Sequence, residues 1–559
     1  MTQSPATEWS RAFLGELYSW GLRNIVVSPG SRSQALALAA LEWERATEGE
    51  LRVHVVIDER SAAFRALGLA VESGMPALCV STSGSAPGHY LPAVMEAHHA
   101  GVPLIVLSAD RPEELRGVGA NQTTTHEGLF GVFAPTIEVP TPSKVSHADV
   151  ESVARDVMQQ ARRHPVHVNV GFREPLSGDA SGELVVPEPK VLPETSDTQN
   201  ALALDPAPDT LVIAGYGAGP GAEAFAVEIG APLIAETVSG ARYGPHLVLD
   251  YRTLLKDSEW AGKIARVITW GRPTLSREVW AVLSNQAIEH YVVRGSAAEA
   301  PNPSGSANIA DTITATRAAT AEEKGEWVKP WVMAGREAHQ ATLKGILPEA
   351  PDLESLADSD PASRSAFAQQ QMTVLRRPVT REGLALALWD ATWPHDRLVV
   401  GASRMVRVLD EVVGPKNITV DSNRGLSGID GTVSCARGIA SAASDAGVTG
   451  ITRVLLGDLS LLHDVGSLMR EPGVTDGGRI QLFVAHDGGG TVFDELEVKD
   501  SAPSEDFDRV LYTPHEVDLA SLAAAYGWSH RPVSTMGQLT EALSSSESFV
   551  LVDIALPRN

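Results

Sequence analysis

The sequence is poor in cysteine and in positive charge. Its 559 residues include two cysteines, Cys79 and Cys435, each within an apolar or small-residue context. Two isolated thiols argue against a disulfide scaffold and a thiolate metal site, so we expect both to be buried and reduced. Lysine and arginine total 45 against 70 acidic residues, which gives a net charge of −25. That charge disfavours nonspecific binding to nucleic acid or to anionic lipid.

Long apolar runs are also missing. No uninterrupted stretch approaches the roughly 20 residues that span a bilayer, and the N-terminal segment lacks the basic region and apolar core of a secretory signal. We therefore expect no membrane insertion and a cytoplasmic location. With 43% hydrophobic and 21% charged residues the composition is that of a globular protein. A chain of this length predicts about three or four domains.

Apolar, β-rich runs alternate with helical patterns in three regions of the chain. In the first region the strand-like runs begin near Asn24, Val53, Ala77 and Leu104. This alternation predicts parallel sheets wrapped by helices, with ligand-binding groups at the carboxyl ends of the strands. The sequence therefore predicts an α/β protein with three doubly wound parallel-sheet domains. We expect domains at residues 1–185, 200–345 and 376–559, with a linker at 346–375.

The segment that follows Glu59 has small or apolar residues on nearly every helical face, from Ala62 to Ala70. A helix that is apolar all round is normally buried on all sides. We expect this helix to be buried between two subunits.

Two acidic residues near the C-terminus follow strand-like runs. Asp458 begins the loop after RVLLG, and Asp487 begins the loop after IQLFVAH. Two carboxylates on neighbouring loops can hold Mg²⁺, which prefers oxygen ligands shared between protein and phosphate. The glycines at 488–490 leave bare backbone against which a phosphate can lie. The pair predicts a metal-bridged diphosphate.

Simpler interpretations exist for each acidic residue alone. Glu59 could complement the dipole at the start of its helix, and Asp458 could cap the helix that begins near Leu461. Capping does not explain why a glutamate, a distant acid pair and a triglycine turn occur together.

Together these features resemble the thiamine diphosphate enzymes. In that superfamily a glycine-aspartate pair is followed roughly thirty residues later by an asparagine-rich turn, and here Asp487 follows Asp458 by 29 positions. The superfamily also places a glutamate at a strand end of its first domain, a position that Glu59 in IDERSAAF matches. By this resemblance Glu59 is the catalytic residue, whose carboxyl group activates the aminopyrimidine of the cofactor.

Further segments resemble one family, the 2-succinyl-5-enolpyruvyl-6-hydroxy-3-cyclohexene-1-carboxylate (SEPHCHC) synthases of menaquinone biosynthesis. They are SPGSRSQ from Ser28, SADRP around Arg111, Asn121 with Gln122, FREPL from Phe172, SNRGLSGIDG from Ser422 and TPHEVD from Thr513. The resemblance covers nearly the whole chain and is weakest at 297–364. It implies a transferase that uses thiamine diphosphate and Mg²⁺, or Mn²⁺, to decarboxylate 2-oxoglutarate. The four-carbon product is then added to isochorismate.

The resemblance also implies the site residues. Both substrates are dicarboxylic acids, and arginine offers carboxylate a planar bidentate partner. Isochorismate would meet Ser31, Arg32, Arg111, Asn121 and Gln122, while the donor substrate would meet Ser403, Arg407, Arg424 and, from the middle domain, Arg277. The cofactor would meet Glu59, Ser403, Arg424, Ile429, Gly457, Asp458, Leu459, Ser460, Asp487, Gly488, Gly489, Gly490, Val492 and Phe493. The metal ion would be held by Asp458, Asp487 and Gly489.

For these residues the alternatives are surface salt bridges for the arginines and core packing for Ile429, Val492 and Phe493. Asp487 stands where the family pattern has an asparagine, and a second carboxylate beside a diphosphate raises the local negative charge. Metal binding should then be tighter and more obligatory; equal Mg²⁺ dependence in the wild type and Asp487→Asn would contradict this hypothesis. His486 is interpreted as a hydrogen-bonded structural group.

Two other functions stay open. A thiamine diphosphate enzyme for another 2-oxo acid, such as acetolactate synthase, would need less positive charge than the arginine set provides. A noncatalytic nucleotide-binding or regulatory protein would have no use for Glu59, and GYGAG at 215–219 lacks the full dinucleotide pattern. Because Glu59 and Asp458 belong to different domains, the cofactor would bind where the two meet. In the superfamily that place is between subunits, so we expect a homodimer or a dimer of dimers.

Overall fold

The computed structural model describes residues 4–143, 145–162, 164–178, 182–192, 200–347, 360–471 and 477–558. Nineteen strands in this part of the chain form three larger parallel sheets and one two-stranded sheet. The α/β class with three doubly wound sheets, predicted from the alternating pattern, is confirmed. The domain boundaries stay a prediction, and residues 348–359 of the predicted linker lie outside the described residues.

The first sheet has the strand order β2-β1-β3-β4-β6-β5. Its strands are β1 (Asn24–Val27), β2 (Arg52–Val55), β3 (Ala77–Ser81), β4 (Leu104–Asp110), β5 (Thr136–Val139) and β6 (Val166–Gly171). All neighbouring strands pair in parallel. The carboxyl ends of β1, β3 and β4 therefore lie side by side, and loops that carry Arg32 and Arg111 follow two of them.

The third sheet repeats that order as β15-β14-β16-β17-β19-β18. Its strands are β14 (Arg397–Val400), β15 (Thr419–Asp421), β16 (Ile451–Gly457), β17 (Arg479–His486), β18 (Ser529–Val533) and β19 (Val550–Ala555). The central strands β16 and β17 are buried along almost their whole length. Strands buried on both faces give continuous apolar runs in the sequence.

The middle sheet has the order β12-β11-β10-β8-β9. Its strands are β8 (Thr210–Ala214), β9 (Leu233–Ala235), β10 (Arg266–Trp270), β11 (Glu289–Val293) and β12 (Asn308–Ala310). A separate parallel pair, β7 (Ala201–Leu204) with β13 (Thr312–Ala315), lies at residues where the sequence suggested only linker and connector.

Helices cover the sheets on both faces. The longer ones are Pro5–Ser19, Gln34–Ala46, Glu59–Ser73, Leu91–Ala100, His147–Ala161, Gly221–Ile229, Tyr251–Lys256, Arg277–Leu283, Ala321–Ile346, Pro361–Leu375, Arg381–Ala391, Arg404–Val412, Thr432–Asp445, Asp458–His463, Leu519–Ala525 and Met536–Leu543. Short helical turns occur at Ala86–Tyr90, Glu113–Leu115, Gly131–Phe133, Ser258–Ala261, Val465–Leu468, Thr491–Glu495, Val498–Ser501, Ser504–Phe507 and Asp508–Tyr512. None of the described helices combines the length and apolar character that a membrane span requires.

The helix Glu59–Ser73 is buried within one chain, which corrects the expectation that a second subunit buries it. It packs against the helix Thr432–Asp445 of the third unit, and two glycines bring the backbones together. A Cβ added to Gly68 would lie 1.9 Å from the Cys435 carbonyl oxygen, and one added to Gly438 would lie 2.2 Å from the Arg65 carbonyl oxygen. This helix pair joins the first unit to the third.

Both cysteines are buried and form no disulfide, as the sequence predicted. Cys79 lies in β3, and Cys435 lies in the helix Thr432–Asp445. Burial raises the pKa of both thiols above its usual value, so both are held as neutral thiols.

Candidate active site

Asp458 lies at the carboxyl end of β16, where the helix Asp458–His463 begins. Its side chain is 1% exposed. The backbone N–H of Leu459 donates to Oδ1 over 2.6 Å, and the N–H of Gly488 donates to Oδ2 over 2.7 Å. Because β16 pairs with β17, the second bond joins two neighbouring strand ends. The two C-terminal acidic loops predicted from the sequence do lie side by side.

Asp487 follows β17 and is almost as buried, with a side chain 8% exposed. Its Oδ2 accepts hydrogen bonds from Arg381 over 2.7 Å and from the Thr491 hydroxyl over 2.6 Å. Burial, followed by the negative charge of Asp487, raises the pKa of Asp458. A divalent cation beside the two carboxylates would offset both effects.

Two histidines complete the surroundings of Asp458. Potential ligand atoms of Asp458, His486 and His515 all lie within 4.8 Å of one another. His515 Nδ1 accepts from the Val517 N–H, which places the ring proton on Nε2, 3.4 Å from Asp458 Oδ2. That approach does not form a hydrogen bond, so Nε2 is buried without a hydrogen-bond partner among the described residues. No role for His515 was predicted from the sequence, although it belongs to the TPHEVD segment.

His486 is held by hydrogen bonding, as the sequence suggested. Its Nδ1 lies 2.8 Å from Asp553 Oδ1, and the ring stacks on His515 with centroids 5.6 Å apart. The hydrogen bond to Asp553 raises the pKa of His486, and burial opposes that shift.

The glycine run at 488–490 has a packing role of its own. Gly488 has φ +79°, a left-handed conformation that favours glycine. A Cβ added to Gly489 would lie 2.4 Å from the Tyr512 carbonyl oxygen, and one added to Gly490 would lie 2.8 Å from the Leu511 carbonyl oxygen. The run therefore keeps the loop that carries Asp487 against the 511–512 backbone. It also leaves unsubstituted backbone beside Asp458, which fits a diphosphate held through a hard cation.

A cleft of about 640 Å³ lies between the middle and third units. Arg277 and Arg407 line it from opposite units, and Val492 with Phe493 form part of its wall. Arg277 begins the helix Arg277–Leu283, whereas Val492 and Phe493 belong to the turn Thr491–Glu495 that follows the glycine run. Four of the predicted site residues thus share one cleft. Its lining also includes the basic residues Arg252 and Lys256 and the acidic residues Asp250, Glu278, Glu411 and Glu495.

Arg424 reaches the same cleft through Thr274. Its Nε and Nη2 donate to the Thr274 hydroxyl over 3.0 and 2.7 Å, and Arg424 is only 5% exposed. Burial lowers the pKa of its guanidinium. Ser403 caps the helix Arg404–Val412 by accepting from the Met405 N–H. Ile429 is 37% exposed, so it is not a core residue of this chain.

Glu236 is a buried acid that the sequence did not reveal. Its Oε1 accepts from the N–H groups of Thr274 and Leu275 over 2.7 and 2.6 Å, and its side chain is fully buried. Burial, together with the nearby charge of Asp410, raises the pKa of Glu236 to about 8. The neutral carboxyl group therefore fixes the loop that carries Thr274 into the cleft.

A second buried acid, Asp410, holds the middle unit against the third. Its Oδ2 accepts from the Tyr251 hydroxyl over 2.6 Å and from Arg252 over 2.8 Å. Its Oδ1 accepts from the Thr237 N–H over 2.9 Å and lies 3.4 Å from Arg242. Asp410 lies one helical turn after Arg407, so these bonds also fix the helix that presents Arg407 to the cleft.

The residues predicted from the first unit form a separate group. Arg111 Nη1 donates to the Ser83 hydroxyl over 2.9 Å, and the amide of Gln122 donates to the Ser83 carbonyl oxygen over 3.0 Å. Arg32 is 8% exposed, and burial followed by the charge of Arg111 lowers the pKa of its guanidinium. Two guanidinium groups close together suit an anion with two carboxylates. Ser31 and Asn121 are exposed beside them.

Glu59 begins its helix directly after the N-cap Asp58 and is half-buried. The neighbouring Arg60 donates to the His463 carbonyl oxygen over 2.7 Å, so the start of this helix touches the end of the helix Asp458–His463. Glu59 therefore lies at the boundary between the first and third units. The cleft between the middle and third units, as far as the structure describes it, includes neither Glu59 nor the first-unit arginines.

Comparison with known proteins agrees with this geometry. Residues 8–129 match the family model of the thiamine pyrophosphate enzymes' N-terminal TPP binding domain. A SEPHCHC synthase of Leifsonia xyli subsp. xyli is 47% identical over 97% of this chain and 95% of its own length. The SEPHCHC synthase of Clavibacter michiganensis subsp. michiganensis is 43% identical over 100% and 97%, and that of Mycobacterium sp. (strain JLS) is 34% identical over 97% and 94%.

The chain belongs to the SEPHCHC synthase family. It is a thiamine diphosphate-dependent enzyme, as the acidic loops and Glu59 suggested. The identity spans nearly the full length of the chain, which includes the connector where the sequence resemblance was weakest. The interpretation as a noncatalytic nucleotide-binding protein is thereby set aside.

Proposed function

We propose that this enzyme decarboxylates 2-oxoglutarate and transfers the remaining four-carbon unit to isochorismate, the reaction of SEPHCHC synthesis in menaquinone biosynthesis. The observation that carries the proposal is the grouping of guanidinium groups at two sites. Arg277 and Arg407 line the cleft beside the turn Thr491–Glu495, and Arg424 contacts its lining through Thr274. Arg32 and Arg111 form a second pair in the first unit. Both substrates carry two carboxylates, which arginine binds well.

The two loops that begin at Asp458 and Asp487, called the metal loops below, would hold the cofactor through Mg²⁺ or Mn²⁺. Asp458 and Asp487 would supply carboxylate oxygens and Gly489 a backbone carbonyl, with Gly457, Leu459, Ser460, Gly488 and Gly490 beside the diphosphate. Hard oxygen donors and free backbone support this proposal. When bound, thiamine diphosphate supplies the electron sink that lets a 2-oxo acid lose carbon dioxide. Val492, Phe493 and Ile429 would exclude water around the reacting carbon.

Glu59 would act as the acid that activates the cofactor by hydrogen bonding to its aminopyrimidine ring. Arg407 and Arg424, with Arg277 and Ser403, would orient the two carboxylates of 2-oxoglutarate. Arg32 and Arg111, with Ser31, Asn121 and Gln122, would orient isochorismate.

We further propose a cytoplasmic homodimer or dimer of dimers, because the first-unit residues do not line the cleft of the same chain.

The test uses purified enzyme with thiamine diphosphate and Mg²⁺. Carbon dioxide should be released from 2-oxoglutarate when isochorismate is present, and the SEPHCHC product should appear. No release would overturn the proposal, and preference for pyruvate would favour a reaction of the acetolactate synthase type.

Glu59→Gln tests the catalytic assignment. The variant should bind the cofactor nearly as the wild type does but lose about 100-fold or more in turnover, because a positioned acid contributes about that much. The exposed Glu8, in the first helix, gives a matched control as Glu8→Gln. Unchanged turnover in Glu59→Gln would remove Glu59 from its role.

A further inference from the structure

Arg381 is a buried arginine behind the metal loop. It begins the helix Arg381–Ala391 after the N-cap Thr380, and its side chain is 7% exposed. Its Nη2 lies 2.7 Å from Asp487 Oδ2 and 2.6 Å from the Pro557 carbonyl oxygen. Both side chains of the Arg381–Asp487 ion pair are shielded from water. Removing either one would leave the other as an uncompensated buried charge.

The pair controls which oxygen of Asp487 is left for a ligand. Oδ2 accepts from both Arg381 and the Thr491 hydroxyl. Among the described residues, none donates a hydrogen bond to Oδ1. The Tyr512 hydroxyl donates to the Asp487 carbonyl oxygen over 2.7 Å, which fixes the backbone as well. The carboxylate is thus held with one oxygen engaged and the other available.

The charge of the pair has a direct consequence for the site. An unpaired Asp487 would add a second negative charge beside Asp458 and would repel a diphosphate. The guanidinium of Arg381 cancels that charge, so the buried loop presents one uncompensated carboxylate, Asp458, instead of two. An asparagine in place of Asp487 would likewise offer one neutral oxygen donor.

We propose that Arg381 is a positioning residue of the cofactor site, which neutralises Asp487 and turns its carboxylate so that Oδ1 alone is left for the metal ion. This inference rests on the proposed function of the acidic loops in holding a metal-bound diphosphate. It revises the expectation that Asp487 raises the negative charge of the site, because the compensating charge comes from 106 positions earlier in the chain.

A double-mutant cycle tests the proposal by cofactor binding. Calorimetry gives the Kd of thiamine diphosphate at a fixed Mg²⁺ concentration for the wild type, Arg381→Gln, Asp487→Asn and the double variant. Arg381→Gln should weaken binding by about tenfold or more, since it leaves a buried carboxylate unpaired. Asp487→Asn and the double variant should each stay within about threefold of the wild type, because neither contains that unpaired carboxylate.

The Mg²⁺ dependence separates charge compensation from simple structural support. The loss in Arg381→Gln should shrink as Mg²⁺ is raised, because bound cation offsets the free carboxylate. Arg381→Lys, which keeps the charge, should recover most of the affinity. Arg404→Gln is the matched control, because Arg404 pairs with Glu495 rather than with a metal-loop carboxylate, and it should bind as the wild type does.

Several outcomes would overturn the proposal. One is wild-type cofactor affinity in Arg381→Gln. Another is an equal loss of cofactor affinity in Arg381→Gln and in the double variant, because Arg381 would then act only through its contacts with the Pro557 and Arg558 carbonyl oxygens. If Arg381→Gln does not fold, a double variant that folds and binds supports compensation, and one that also fails to fold contradicts it. A wild type with no Mg²⁺-dependent binding would overturn the proposed function itself.

Discussion

Two buried acids at the site, Asp458 and Glu236, accept hydrogen bonds from backbone N–H groups. Asp458 accepts two N–H groups and Glu236 accepts two more through one oxygen. The two differ in their surroundings. Asp458 lies beside a loop that can take a cation, whereas Glu236 has a second oxygen that is buried without a described hydrogen-bond partner. Burial therefore holds Glu236 neutral, and a neutral acid can act as a structural brace for the Thr274 loop.

The neutral state of Glu236 predicts a pH dependence of stability. Its pKa rises from an ordinary 4.5 to about 8 in the folded chain. Between these values the folded state holds a proton that the unfolded state has released, so the free energy of unfolding falls as pH rises toward 8. Glu236→Gln, which is neutral at every pH, should remove this component. Denaturant unfolding at pH 5, 6.5 and 8 should show a flatter profile for Glu236→Gln; parallel profiles would contradict the prediction.

At the scale of single elements, the loop after β10 connects this brace to the cleft. The Thr274 hydroxyl accepts two hydrogen bonds from Arg424, and the loop continues into the helix that Arg277 begins. Replacing Thr274 with valine removes the acceptor while keeping the side-chain volume.

Thr274→Val should therefore raise the KM for 2-oxoglutarate about tenfold, because a hydrogen bond to a charged group contributes roughly 1.5–3 kcal/mol. The turnover number should change less, since Arg424 keeps its charge and approximate place. Thr274→Ser retains the hydroxyl and serves as the control, with a KM near the wild-type value. Steady-state kinetics measures the KM of each variant. An equal KM in Thr274→Val and Thr274→Ser would show that the hydrogen bond between Arg424 and Thr274 does not affect substrate binding.

The helix pair between the first and third units gives a stability prediction. Gly68→Ala would place a Cβ 1.9 Å from the Cys435 carbonyl oxygen, so one helix backbone must move. We expect a loss of about 1–3 kcal/mol or more in the free energy of unfolding, the range for overpacked cores. Gly325→Ala, in the helix Ala321–Ile346 with open space around its Cβ, should instead stabilise by about 0.5–1 kcal/mol. Denaturant unfolding distinguishes the two.

These elements also show how far sequence alone could predict the structure. The buried strands β16 and β17 were predictable because their apolar runs are continuous. Strand β6 was not singled out, because it contains His167 and Asn169, whose burial depends on hydrogen bonds to Ser108 in β4. Polar residues in a sequence favour the prediction of a loop unless their buried hydrogen-bond partners are known.

The candidate site likewise contains residues that local sequence motifs predict and residues that they do not. Asp458 and Asp487 stand at strand ends in local motifs, so their neighbourhood could be predicted. Arg381 and Glu236 carry no local signal, because their roles come from contacts with residues 106 and 38 positions away. Long-range pairs of this kind depend on how whole units pack, which no sequence window contains.

On the scale of the whole molecule, the first and third sheets share one strand order and are joined by the helix pair around Gly68 and Gly438. Beside two of the proposed site residues, however, apolar side chains remain on the surface. Ile57 is 61% exposed two residues before Glu59, and Leu426 is 46% exposed in the loop that follows Arg424. Because the proposed cofactor site lies between subunits, we expect a second chain to cover Ile57.

The proposed function requires a second copy of this chain as the partner. Substitution of Ile57 tests whether the two copies assemble through this surface. Ile57→Glu places a charge on the surface beside Glu59 and should shift the protein from a dimer or larger assembly toward the monomer, because burying an unpaired charge costs several kcal/mol. Val191→Glu, at a residue 86% exposed in the segment after the first sheet, is the control and should leave the assembly unchanged. Sedimentation velocity reports the mass, and calorimetry reports thiamine diphosphate binding on the same samples. If cofactor sites form between subunits, Ile57→Glu loses assembly and binding together, whereas a monomer with wild-type cofactor affinity would show that one chain completes its own site.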